Sequence, residues 1–217
     1  MFACGGKINA AQFSLPCSFY VQGLGELPLP LSPSNIFHLI DLSEQAPYIK
    51  GSATAGDKSV REARQIDASF LTCHPLNSTF FLHTAQAIAA HAVERLGMDA
   101  HNVHLDAKPY KLLLYEAGGQ FAFHRGTERE LGMSGTLIIQ IPTLSLHQGD
   151  QLVVHNAHNS VTFDFSGGKS SRHSSSSQTR RPFKFCHTDG SRSKGQGCSS
   201  NRGDEKVQEK YATGAVI

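Results

Sequence analysis

Four short apolar runs, Tyr110–Tyr115, Gly135–Ile141, Gln151–His155 and Val161–Phe165, follow one another with turn residues between them. Strands of this length and spacing fit an antiparallel sandwich or barrel. Upstream, Phe81, Ala85, Ile88, Ala89, Ala92, Val93 and Leu96 recur at helical spacing, which predicts a helix from about Thr79 to Leu96. Asn77 or Ser78 is suited to cap its start, and Gly97 to end it. A helix packed outside such a sheet makes an α+β fold.

Three zones follow from this pattern. Residues 1–108 form an N-terminal support region of helices and loops. A short helix is expected from Ser34-Asn35 through Ile36, Phe37, Leu39 and Ile40, ended near Pro47. Pro28, Pro30 and Pro33 mark an extended approach to it, and 46–51 reads as a loop. Residues 109–165 hold the β core. Residues 166–217 change character: Ser166–Ser177 contains seven serines and two glycines, and from 166 onward ten Lys and Arg face four Asp and Glu. Such a composition buries too little apolar area to offset ordering entropy, so a disordered basic tail is expected. A nucleic-acid role for it is not favoured, because only Phe183, Phe185 and Tyr211 supply aromatic rings there.

The bulk numbers exclude several classes. A net charge of +2 gives no strong field toward nucleic acid or membrane, and 39% hydrophobic residues suit an ordinary globular domain. The longest apolar stretches are far short of a membrane span. The five cysteines are scattered and odd in number, against a disulfide framework or zinc ribbon. Reduced thiols and the lack of a signal-peptide pattern lead to a cytoplasmic or nuclear expectation. His83 and His91, two helical turns apart, read as surface or boundary residues.

The residues that carry chemistry lie between the first two core runs: Tyr115-Glu-Ala-Gly118-Gly119-Gln120-Phe121, then His124-Arg125-Gly126-Thr127-Glu128. Side chains alternate along a strand, so a ligand pair spaced i, i+2 shares one face. With Lys111-Leu-Leu-Leu-Tyr115, Gly135-Thr136-Leu137 and Gln140-Ile-Pro142, this segment resembles the iron(II)/2-oxoglutarate-dependent oxygenases. Within them it is most similar to the prolyl 4-hydroxylase alpha-subunit-like group; Phe2-Ala-Cys-Gly-Gly6 and Gln45-Ala-Pro-Tyr48 also match that group.

The resemblance implies a jelly-roll-like double-stranded β-helix with flanking helices, using Fe(II) and 2-oxoglutarate to hydroxylate a protein or peptide side chain. It implies that His124 is a metal ligand and that Tyr115 and Thr136 contact 2-oxoglutarate. A strand aromatic and a β-forming threonine would explain the last two equally. The family's Asp ligand is replaced by Gly126, and its second histidine and basic anchor are not identifiable after residue 165. His187, in Cys186-His187-Thr188-Asp189, stands in surroundings that do not read as a strand. His155 and His158 read as hairpin residues. Two expectations therefore stand together: a dioxygenase-like enzyme with a partial β core, or a catalytically inactive or truncated domain acting as a binding module.

Overall fold

The computed structural model describes residues 2–9, 12–50, 53–55, 62–99, 106–125, 133, 135–144, 151–156, 159–165, 184–189, 206–210 and 214–216. The chain begins with β1 (Ala3–Lys7), the hairpin β2 (Ser18–Val21) and β3 (Gly25–Pro28), and helix α1 (Pro33–Leu42). Short strands β4 (Glu44–Gln45), β5 (Tyr48–Lys50), β6 (Ala53–Ala55) and β7 (Arg64–Asp67) lead to α2 (Ser69–Thr72) and α3 (Pro75–Thr79). A π-helical segment, Phe80–Ala85, joins α3 to α4 (Gln86–Leu96). Then come β8 (Lys111–Tyr115), β9 (Gln120–Arg125), β10 (Gly135–Ile141), β11 (Gln151–Asn156) and β12 (Asn159–Asp164). The last strands are β13 (Lys184–Asp189), β14 (Lys206–Lys210) and β15 (Gly214–Val216).

Helix α1 starts where its chemistry dictates. Ser32 caps it, its Oγ accepting from the Asn35 amide at 3.1 Å, and Pro33 occupies the first turn, where no amide is needed. At the other end Arg64 of β7 donates to the Ser43 hydroxyl at 2.7 Å and to the Ser43 carbonyl at 2.6 Å, tying the helix end to the sheet. The helix that runs from α3 through the π-helical segment to α4 starts earlier than the periodicity predicts. Its cap is His74, whose Nδ1 accepts from the Leu76 amide, followed by Pro75 in the first turn. The apolar spacing marked only the part from Phe81 onward; the first turn, Pro75-Leu76-Asn77-Ser78, does not continue that spacing. All seven core positions expected on this helix are buried, and Gly97 ends it at φ +79°. Residues 48–50 and 53–55, expected within or beside a loop, pair as a small antiparallel hairpin.

Two antiparallel sheets dominate. The larger runs β1-β13-β10-β15-β8-β7-β4, and the smaller β12-β11-β14-β9. The helices cover one face of the larger sheet: Ile66, Leu112, Leu114, Ile139 and Ile141 share a buried cluster with Ile88, Ala92, Leu96 and Leu39. Its other face meets the smaller sheet, where Tyr115 and Ile138 pack with Leu152 and Val154. β8 and β10 are thus buried on both sides, which is why Leu112–Tyr115 and Leu137–Ile141 read as nearly continuous apolar runs. Gln140 is a buried polar exception, and its Nε2 donates to the Phe165 carbonyl at 3.2 Å, across to the end of β12. The result is a mixed helix and strand fold of stacked antiparallel sheets, not closed into a barrel among the described residues.

Within residues 166–217, three segments are strands. β13 lies between β1 and β10, β14 between β11 and β9, and β15 between β10 and β8. The rest of 166–217 lies outside the described residues.

Among the described residues, no helix is long and apolar enough to cross a membrane. Cys4 is buried, and Cys17 and Cys73 are exposed; all three are free thiols.

The helical layer is locked to the β2–β3 hairpin by one buried amide. Asn77 accepts from the Tyr20 amide at 3.0 Å and donates to the carbonyls of Tyr20 and Leu71 at 2.6 and 2.7 Å. Asn77→Ala leaves those buried backbone groups without partners, and is expected to cost about 3 kcal/mol in denaturant unfolding.

Candidate functional site

The motif segment folds around a tight turn. Gly119 N donates to the Glu116 carbonyl at 2.8 Å, and Gly118 sits at φ +82°, a left-handed position that side chains disfavour. Gly119 has a different reason: a Cβ there would stand 2.8 Å from the Glu62 carbonyl oxygen and 2.9 Å from that of Glu116. The paired glycines thus turn β8 into β9 and carry the chain from the large sheet to the small one.

That turn sets where the expected site residues fall. Tyr115 immediately precedes it, 1% exposed, packed with Ala46, Ala63, Ile138, Leu152, Val154 and Phe165. His124 lies at the other end of β9. Gly126, Thr127 and Glu128 lie outside the described residues, as does His158. Thr136 is exposed at the start of β10, paired with Thr188. The pairings of Val216 with Leu113 and with Gln140 make those two positions level in the sheet. Tyr115 is then six residues along the strand direction from Thr136, roughly 20 Å at about 3.3 Å per residue. The structure brings His124 and Thr136 toward one end of the sandwich and leaves Tyr115 at the other.

The strand opposite His124 is β14. Its register sets Lys206 against Arg125, Val207 against His124 and Glu209 against Phe121. On its other side β14 pairs with β11, Val207 against Val154 and Lys206 against His155. His187 differs from its sequence reading: it is in the middle of β13, paired with Cys4 and Leu137, in the other sheet from His124. His155 is on β11, one row from His124 in the same sheet. Neither is directly opposite His124. His83 is exposed, and His91 is half-buried beside Glu94 and the Phe13 ring, in keeping with boundary histidines. Among the described residues there is no group of three or more His, Cys, Asp and Glu placed to hold a metal ion.

The donor chemistry can be set against the group that the resemblance implies. A facial iron(II) site takes two imidazoles and one carboxylate. Here the position after Arg125 is a glycine, and the strand facing His124 reads Lys206-Val207-Gln208-Glu209-Lys210, with no histidine in it. These residues do not fit iron(II) as that family holds it. Glu209 was not singled out from sequence; the strand register sets it in β14 opposite Leu152 and Phe121.

The turn gives a test of how β9 is held. Gly118→Ala should cost about 1 kcal/mol for the left-handed backbone. Gly119→Ala should cost more, because both close neighbours are backbone oxygens that cannot swing aside. Equal losses in denaturant unfolding would contradict the packing account.

Comparison with known protein-family models finds no match, and comparison with curated proteins finds none either.

Proposed function

We propose that this chain is a jelly-roll domain of the iron(II)/2-oxoglutarate oxygenase type, related to the prolyl 4-hydroxylases, that binds a protein or peptide partner without performing the oxygenase reaction. The order of strands supports the scaffold. From β8 to β15 the chain passes back and forth between the sheets, with β11 and β12 a hairpin in one of them, to give β8-β15-β10-β13 in one and β9-β14-β11-β12 in the other. That interleaving is the arrangement of a double Greek-key sandwich. The motif from Tyr115 to Glu128 supports the same relationship.

The observation that carries the non-catalytic reading is Val207. It occupies the position across from His124, and with glycine at 126 the described residues of β9 and β14 offer one imidazole where the family chemistry needs three donors. A single neutral ligand neither neutralises nor surrounds a divalent ion. Under this reading Tyr115 serves as a core aromatic of the sandwich, and Thr136 as a polar residue at the exposed sheet end.

Anaerobic titration of folded protein with iron(II) in the presence of 2-oxoglutarate is expected to give no saturable visible charge-transfer band. A band that saturates would return the chain to the active oxygenases and sink the proposal.

A further inference from the structure

Among the described residues the smaller sheet ends at β12 and β9, and the larger at β1 and β4. An open edge is a template for further strand pairing unless something blunts it. Three of these edges are blunted. β4 has two residues, β1 closes on Gly5-Gly6-Lys7, and β9 ends on Arg125 beside a register shift against β14. β12 is not. Asn159–Asp164 pairs with β11 at every position without a bulge, and it holds no proline, lysine or arginine.

The register also shows which backbone groups of β12 face outward. Asn156 pairs with Asn159, three positions on, as the ends of a β-turn do, where the first carbonyl accepts from the fourth amide. Bonded and non-bonded pairs alternate from there. Val161 and Phe163 therefore direct their N–H and C=O groups to β11, and Ser160, Thr162 and Asp164 turn theirs to the edge. The side chains follow the same alternation. Ser160, Thr162 and Asp164 are exposed, Val161 and Phe163 are half-buried, and Phe163 packs against the cluster of Tyr115, Leu152 and Val154. Outward from Thr162 the strand reads the same in both directions, apolar and then polar.

We infer that β12 is a self-association edge: a second copy of this chain pairs its own β12 there, antiparallel, about a two-fold axis through Thr162. In that register Thr162 meets the other copy's Thr162, a favourable cross-strand pair. Val161 meets Phe163, so the apolar rows of the two sheets join. Ser160 meets Asp164, so a hydroxyl can donate to a carboxylate and no two carboxylates are opposed. An axis through Asp164 would oppose them, and one through Val161 or Phe163 would pair only two of the three outward-facing residues. The contact is the same surface on both copies, so it closes at two chains. This inference needs only the fold and is independent of the function proposed above.

Sedimentation equilibrium of the full chain tests it. The mass should rise with concentration from one chain to two and no further. Thr162→Lys and Thr162→Glu each set like charges across the axis, and each alone should remain monomeric with native circular dichroism. Mixed one to one, the two variants should pair, because the axis then sets an ammonium against a carboxylate, and added salt should weaken that mixed pair. Ala90→Lys, on the exposed side of α4, should dimerise as the native chain does. A native chain that stays monomeric overturns the inference, as does one that grows beyond two. A dimer that survives Thr162→Lys, or folded variants that stay apart when mixed, overturns it as well.

Discussion

Pairing between strands far apart in sequence holds this molecule together. β13, β14 and β15 each enter a sheet between two strands made much earlier in the chain. Removing β13 separates β1 from β10; removing β15 separates β10 from β8; removing β14 separates β11 from β9. Closing such long loops costs entropy before any contact is gained. The helical layer and the β8–β10 core, rich in buried apolar residues, help to offset that cost.

That core is the reason the late strands have somewhere to go. β8 and β10 are apolar on both faces, with helices on one side and the small sheet on the other. Between them lies a gap one strand wide, filled by Gly214–Val216, whose small residues suit a central position with neighbours on both sides. The small sheet repeats the pattern with β14 between β9 and β11. In this way the register of β14 decides the chemical character of the end of the sandwich that carries His124. The register sets Val207 between Val154 of β11 and His124 of β9.

The same geometry gives the motif residues a part in folding. Gly118 and Gly119 are required by the turn itself, through a left-handed backbone and a close approach to the Glu62 and Glu116 carbonyls. Tyr115 is required by packing between the sheets. A segment can keep these residues for folding reasons alone, so their presence speaks for the scaffold more than for the reaction. The reaction depends on donors brought together from two strands, and that is a property of the pairing.

Local pattern was legible where one face of one element is buried. The periodicity of Phe81 to Leu96 marked its core face, Gly97 its end, and the runs near 111–115, 135–141, 151–156 and 159–164 their strands, because apolar alternation within an element records what that element packs against. The capping role of His74, the hairpin at 48–55 and the strands at 184–189, 206–210 and 214–216 were not legible. Their residues are polar or few, and what orders them is a neighbour distant in sequence. His124 and the glycine at 126 could be read from the chain itself. That Val207 faces His124, that His187 belongs to the other sheet, and that Tyr115 and Thr136 stand at opposite ends could not. Those are facts of register, and register is decided by which strands meet, through hydrogen bonds every backbone can make, rather than by any residue's own chemistry.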